Sequence, residues 1–284
     1  MIVTIHRLRP TAAALVVAVL AGITSAAAAD GASPWDGDQR SAVRLIAGSR
    51  ASASAPIRAG VEIRLARGWH TYWRYPGDAG VPPRVEFKGS QNVKSVEVRY
   101  PAPKRLPEAG MVAIGYDRDV TLPLAIVPQD AAKPVLLRLQ LDYAVCEKLC
   151  APAEGKAELT LTAGPSSMEP ALAAAEARVP KKRALGEAGA LSIRSIKQEQ
   201  GSAKPRVLVD VAAPAGTAVD LLAEGPTADW ALPLPTPVAG APAGLQRFAF
   251  ELDGAPPGAA LHGITVTLTA IAGEEAIEVA TRLD

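Results

Sequence analysis

Apolar and polar residues alternate along most of the chain, which is the pattern of strands with one buried face. Val61, Ile63 and Leu65 alternate with charged residues, and residues 137–145 form the longest such run. The same alternation recurs over residues 96–100, 158–161, 207–211, 248–252 and 264–268. Because prolines and glycines separate these segments, the sequence predicts an all-β protein built from β-sandwiches.

One segment has helical rather than strand spacing. Residues 168–177 are rich in Ala and Glu, and Pro180 would end a helix there. We therefore expect two β-sandwich domains, over residues 30–164 and 189–284, that are joined by a short helix and linker over residues 165–188.

The first 29 residues have the features of an export signal. Arg7 and Arg9 precede an apolar stretch at 11–23, and alanines at 27–29 offer a cleavage site of small residues. The apolar stretch is shorter than the roughly 20 residues that a membrane-spanning helix needs. We expect residues 1–29 to be a signal peptide that directs the chain to the periplasm, and an uncleaved N-terminal anchor is the alternative.

The charge of the chain argues against a nucleic-acid partner. The net charge is +1, and removing residues 1–29 takes away two arginines and no acid, which leaves −1. No basic stripe is visible, and every later apolar run is interrupted well before it could span a bilayer. We expect neither nucleic-acid binding nor a transmembrane segment in the mature chain.

The chain has two cysteines, Cys146 and Cys150, which we expect to pair in an oxidising compartment. A straight strand would place them about 13 Å apart. A disulfide needs Cα atoms within about 7 Å, so the chain must turn back over residues 147–149. The alternation of the preceding strand puts Cys146 on the side opposite the leucines, and we expect it on a polar face rather than in the core.

The position of this bridge favours a redox role. Closing a five-residue loop stabilises a fold by only about 2 kcal/mol in the chain-entropy model, and this bridge joins neither sheets nor domains. Accessible local bridges are also easily reduced. A local structural disulfide is the alternative, and a Cu(I) site with one histidine is another. The second ligand pair of a usual zinc site is missing, and we expect no metal or other cofactor.

Three segments of the first domain carry a recognisable pattern. They are residues 68–80 (GWHTYWRYPGDAG), residues 115–116 with 120–124 (GY and VTLPL), and residues 143–152 (YAVCEKLCAP). Together they resemble the N-terminal periplasmic domain of the DsbD thiol:disulfide interchange family, in particular its ScsB (suppressor of copper sensitivity) branch. The resemblance covers about residues 60–163 and is weaker over 190–284.

The resemblance implies an immunoglobulin-like β-sandwich with a redox-active cysteine pair. In the family, such a pair passes reducing equivalents from a membrane electron conduit to periplasmic thioredoxin-like proteins or disulfide isomerases, including those of cytochrome c maturation. Carried over by position, Cys146 and Cys150 are the reactive pair, and Cys150 forms the mixed disulfide with a partner. The activity implied is that of a protein-disulfide reductase acting as an electron relay, with a link to copper tolerance.

The resemblance also implies which residues surround the cysteines. The family's aromatic strand falls on His70 and Tyr72, for which core packing is the alternative. The family's cap loop falls on a segment that contains neither its acidic residue nor its Phe, and there we expect Ile114 or Tyr116 to shield the pair. The whole cap segment is Val112, Ala113, Ile114, Gly115 and Tyr116.

Besides the cap, two features depart from the family pattern. Three residues separate the cysteines where the best-known members have five, and the sequence has no membrane-spanning or C-terminal thioredoxin-like part, so we expect separate donor proteins. Two other functions stay open. One is a non-catalytic β-sandwich adaptor with a structural disulfide, and the other is a periplasmic Cu(I)-handling protein.

Overall fold

A computed structural model describes residues 1–2, 31–50, 52, 55–108, 110–199 and 205–283. The predicted signal peptide lies outside these residues, apart from its first two. Within the described part, none of the helices combines the length and the apolar character needed to cross a bilayer.

Eleven strands over residues 36–161 form two sheets that pack face to face. One sheet has the order β1-β2-β3-β9-β6, and the other has the order β11-β10-β4-β8-β7 with β5 also paired to β10. In chain order the strands are β1 (Asp36–Gly37), β2 (Ser41–Ala47), β3 (Ile57–Leu65), β4 (His70–Gly77), β5 (Arg84–Glu86), β6 (Val93–Val98), β7 (Lys104–Glu108), β8 (Met111–Tyr116), β9 (Val120–Pro128), β10 (Val135–Cys146) and β11 (Cys150–Leu161).

The alternation in the sequence explains the core between these sheets. The odd-numbered residues of β10 from Val135 to Val145 are buried, and they face buried residues of β3 and β9 such as Val61 and Leu122. Trp73 of β4 is fully buried in the same core. Burial of alternate residues on each strand is what a two-sheet sandwich requires.

The remaining strands form a second sandwich of two four-stranded sheets, with orders β12-β19-β18-β15 and β13-β14-β17-β16. Its core contains Val207, Val209, Phe248 and Leu268. The expected all-β fold with two immunoglobulin-like sandwiches is thereby confirmed. The strands are β12 (Lys181–Lys182), β13 (Ser192–Glu199), β14 (Arg206–Ala212), β15 (Asp220–Glu224), β16 (Thr236–Val238), β17 (Leu245–Glu251), β18 (Thr265–Ala272) and β19 (Glu275–Arg282).

The helix between the sandwiches, α1 (Glu169–Ala177), lies within the segment that the sequence predicted to be helical. Its Leu172 is fully buried against Ile46 of β2, and Arg58 of β3 forms ion pairs with Glu169 and Glu176. The two lysines of β12 pair in parallel with β19. The segment predicted as a linker thus packs on both sandwiches, and the domain limits at 164 and 189 stay a prediction.

Two strands of the first sandwich are held by the second. Arg74 of β4 forms ion pairs with Glu224 and Glu278, at 2.7 and 2.5 Å. Arg105 of β7 donates from Nε to Asp220 at 2.7 Å. Leu222 of the second sandwich is part of the core of the first, so the two cores are in contact. Strands β4 and β7 also carry residues that lie beside the cysteines. The second sandwich therefore contacts the same strands that form the candidate site.

Candidate functional site

Cys146 and Cys150 form a disulfide at the end of the β10–β11 hairpin, where they are directly opposed partners. Their Cα atoms are 4.1 Å apart, and the intervening residues 147–149 are exposed. The predicted turn after Cys146 is confirmed. Leu149, at the tip, leaves 82% of its surface exposed beside Cys150.

The two cysteines differ in their exposure to solvent. Cys150 is exposed, but Cys146 is only 1% exposed and lies in a small cluster with Tyr72, Leu106 and Ala113. Cys146 does face away from the leucine core, but the expectation of a polar face is wrong. The sheet continues beyond β10 into β4, β8 and β7, and side chains of those strands cover that face.

Tyr72 lies over the disulfide. Its hydroxyl oxygen is 2.7 Å from Cys146 Sγ and 3.3 Å from Cys150 Sγ, and it donates to Glu108 Oε1 at 2.9 Å. Burial of the ring and the hydrogen bond to Glu108 raise the pKa of Tyr72 well above its usual value. The phenol therefore stays protonated at neutral pH, with its one proton directed to Glu108 and its oxygen in contact with the sulfurs.

Glu108 and His70 complete the surroundings of the pair. Glu108 Oε1 is 3.0 Å from Cys150 Sγ, and Glu108 Oε2 is 3.2 Å from His70 Nε2. His70 is the β4 partner of Cys146, and its ring packs edge-on against Tyr72. The structure thus brings both predicted lining residues, His70 and Tyr72, to the cysteines.

Sequence reasoning missed Glu108. It ends β7, four residues before the segment that we expected to form the cap. The available signal was the turn Glu-Ala-Gly at 108–110, which predicts a hairpin tip ahead of β8. In the structure this β7–β8 hairpin places the carboxylate beside Cys150.

The segment that we expected to cap the cysteines is strand β8. Its alternation directs Val112, Ile114 and Tyr116 into the main core, where Ile114 is fully buried. Ala113 alone among the five reaches the cluster around the buried cysteine, and Gly115 lies against the backbone of β4. The expectation that Ile114 or Tyr116 shields the pair is therefore wrong, because both lie on the opposite face of the sheet.

A loop after β4 covers the ring of Tyr72. Gly80 has a φ of +115°, and a Cβ there would lie 2.4 Å from a Tyr72 ring carbon. Only glycine combines this backbone conformation with so close an approach. The loop therefore keeps the Tyr72 ring in place beneath it, and Ala79 packs into the same cluster.

The comparison with known families identifies the cysteine-containing domain. Residues 42–162 match the family model described as "Thiol:disulfide interchange protein DsbD, N-terminal". This match covers most of the first domain. The DsbD-type domain contains the disulfide together with His70, Tyr72 and Glu108.

A solved structure extends the likeness in fold beyond the DsbD-type domain. The N-terminal periplasmic domain of ScsB from Proteus mirabilis superposes with a TM-score of 0.69 at 19% sequence identity. The match covers 90% of this chain and 99% of that one, so it includes both sandwiches. No match was found among curated protein sequences.

Proposed function

We propose that this chain is a periplasmic thiol–disulfide exchange protein that relays reducing equivalents through Cys146 and Cys150. The donor is a membrane electron conduit, and the acceptors are thioredoxin-like proteins or disulfide isomerases. The observation that carries the proposal is the unequal exposure of the two sulfurs in a DsbD-type domain. Thiol–disulfide interchange is the activity of the family, and the periplasmic location is supported by the likeness to the ScsB domain.

The unequal exposures of the two sulfurs support the following order of bond changes. A donor thiolate attacks the exposed Cys150 Sγ, and Cys146 leaves as the thiolate. The Tyr72 hydroxyl, 2.7 Å from Cys146 Sγ, stabilises this thiolate by turning its proton from Glu108 to the sulfur. The donor's second thiolate then attacks the donor sulfur of this mixed disulfide and releases Cys150, so two electrons have entered the pair. A thiolate that is better stabilised leaves faster. The role of the Tyr72 hydroxyl in this proposal is to stabilise the departing Cys146 thiolate.

Transfer to the acceptor runs through the same exposed sulfur. The Cys150 thiolate attacks the acceptor disulfide, and one acceptor sulfur leaves. Cys146 then attacks Cys150 Sγ, which re-forms the internal disulfide and releases the second acceptor sulfur. Exposed Leu149 precedes Cys150, and exposed Met111 is paired with Glu108, so apolar side chains flank the sulfur where a partner would dock.

Glu108 gives the site a negative charge at the point of attack. Small thiolates are anions, so a carboxylate 3.0 Å from Cys150 Sγ repels them. A cognate partner can offset this repulsion with contacts of its own, whereas a small thiol has none. We therefore assign Glu108 a role in excluding non-cognate thiols.

Oxidised Glu108→Gln protein should react with dithiothreitol about fivefold faster than the wild type. Removing a like charge about 4 Å from the attacking sulfur lowers the barrier by about 1 kcal/mol even at the dielectric constant of bulk water, which is a lower bound for this partly buried carboxylate. The rate is measured by thiol release under pseudo-first-order conditions. The effect should grow at low ionic strength.

The matched control for this measurement is Glu154→Gln, which removes an exposed carboxylate from the same strand as Cys150, opposite Asp142. Its rate should equal that of the wild type. An unchanged or slower reaction of Glu108→Gln would remove the charge-exclusion role of Glu108.

The reduction potential of the Cys146–Cys150 pair tests the proposed function. Equilibration of the mature chain with thiol redox buffers containing a metal chelator should give a value between about −180 and −270 mV, the range of exchange proteins. A value well below about −300 mV is that of a structural bridge. That result would favour the non-catalytic adaptor instead.

A further inference from the structure

Four groups that commonly bind metals meet at the disulfide. A nitrogen of His70, a carboxylate oxygen of Glu108 and Sγ of Cys146 all lie within 4.8 Å of one another. The sulfur of Cys150 is 3.0 Å from Glu108 Oε1. In the oxidised chain the two sulfurs are bonded to each other, so they become thiolate ligands only after reduction.

We propose that the reduced chain binds one Zn²⁺ ion through the thiolates of Cys146 and Cys150, the imidazole of His70 and the carboxylate of Glu108. Zinc in proteins prefers four ligands of this kind in a tetrahedron, with bonds of about 2.0–2.3 Å. The ligand atoms of such a tetrahedron are about 3.5 Å apart, given these bond lengths. The groups are therefore already close to the spacing that a single ion requires.

The mixture of donors decides between metals. Calcium and magnesium prefer oxygen ligands and do not select two thiolates. Cu(I) is a soft ion that two thiolates satisfy, so it gives no role to the carboxylate. Two sulfurs, one nitrogen and one oxygen together match zinc.

The charge and the burial of the ligand groups also favour a divalent cation. The Glu108 carboxylate lies 3.0 Å from Cys150 Sγ, so two negative charges would meet there when both groups act as ligands, and a divalent cation bound between them offsets this repulsion. The side chains of His70 and Glu108 are only 13% and 16% exposed, so their attraction to the ion is weakly screened. The Tyr72 hydroxyl already donates to Glu108, and such outer hydrogen bonds orient the ligands of metal sites.

Zinc binding and disulfide formation exclude each other. When the zinc-bound dithiolate transfers two electrons to a disulfide, the Cys146–Cys150 bond forms, the ion is released and the acceptor takes up two protons as its dithiol. The site would therefore hold zinc in the reduced state and release it on oxidation. This activity is separate from the relay, because a chemical reductant generates the same dithiol without any protein partner.

The test is a zinc titration of the full mature chain. The protein is reduced, freed of reductant without oxygen, and titrated with Zn²⁺ against a chromophoric chelator. We expect one ion per reduced chain and none per oxidised chain. Titration with Co²⁺ should give a thiolate charge-transfer band and the visible spectrum of tetrahedral cobalt.

Variants distinguish a four-ligand site from simple binding by two thiols. His70→Gln and Glu108→Gln should each weaken zinc binding at least about 10-fold, since even outer partners of metal ligands contribute that much. The control is His262→Gln, an exposed histidine of the second sandwich, which should bind as the wild type does. Glutamine at 108 can still accept from Tyr72, and an unchanged urea denaturation midpoint confirms that each variant is folded.

Zinc should also change the redox equilibrium of the pair. At a free concentration of 100 times its Kd, zinc favours the dithiol about 100-fold, which raises the reduction potential by about 59 mV for two electrons. Absence of zinc binding, or equal binding by wild type, His70→Gln and Glu108→Gln, would overturn the proposal. Binding of Cu(I) without binding of Zn²⁺ would overturn it as well and assign a two-thiolate copper site.

Discussion

Replacing Cys150 by Ser should abolish disulfide exchange, whereas Cys146→Ser should trap a stable mixed disulfide with a thioredoxin-like acceptor. The physical reason is access to the sulfur. Cys150 is exposed at the hairpin end, but Cys146 is 1% exposed beneath Tyr72 and Leu106. Exchange needs an attacking thiolate to approach in line with a disulfide, so a buried sulfur reacts only with its neighbour.

The two variants are compared with an oxidised periplasmic thioredoxin-like protein as acceptor. Non-reducing electrophoresis and mass spectrometry identify any mixed disulfide and the cysteine that forms it. We expect the Cys146→Ser protein to accumulate the adduct through Cys150, because no second thiol can release the acceptor. The Cys150→Ser protein should form none within the detection limit.

Alkylation of the reduced wild type provides the control for access. A bulky maleimide should label Cys150 in the folded chain, and it should label both cysteines in denaturant. If Cys150→Ser formed the mixed disulfide as readily as Cys146→Ser, the assignment of separate roles to the two sulfurs would be wrong. Equal labelling of both cysteines in the folded chain would also contradict the difference in access on which these roles rest.

Arg74→Ala should lower the free energy of unfolding by about 3 kcal/mol, at the lower end of the range for breaking a buried ion pair. Burial by itself lowers the pKa of Arg74, but hydrogen bonds and charge from Glu224 and Glu278 outweigh it and raise the pKa above its usual value. The Arg74 side chain is 29% exposed, and both carboxylates are more buried. The variant would leave two carboxylates together without a cation, and it would also remove the guanidinium from the face of Trp73.

Urea denaturation of the oxidised chain measures this loss, with the change in midpoint converted at a constant slope. The matched control is Arg118→Ala, which breaks an exposed ion pair with Asp117 and should cost no more than about 1 kcal/mol. If the two variants lost equal stability, the ion pairs of Arg74 would not contribute to joining the sandwiches. Separate transitions in Arg74→Ala would indicate that the two sandwiches unfold independently once these pairs are lost.

The residues that form this interface could not be chosen from the sequence. Arg74 is a charged residue, and from the sequence such a residue is expected to face solvent. Its carboxylate partners lie 150 and 204 residues away along the chain. No local pattern links positions so distant, and only the docking of the second sandwich on β4 brings them together.

Features that depend on near neighbours along the chain could be predicted from the sequence alone. The period of two in residues 137–145 specified a strand with one buried face, because successive side chains of a strand point to opposite faces. The four-residue spacing of Cys146 and Cys150 required a tight turn, because a disulfide limits the distance between Cα atoms. The Ala- and Glu-rich segment likewise predicted α1.

The tertiary structure decided which side chains surround the sulfurs. Alternation placed Cys146 on the face opposite the leucines, but strand order placed Tyr72 and Leu106 over that face and so buried it. The same strand order directed Ile114 and Tyr116 into the core and brought Glu108 to Cys150. Local periodicity fixes the face of a strand on which a residue lies, but what covers that face depends on strands that are distant in the sequence and adjacent in the sheet.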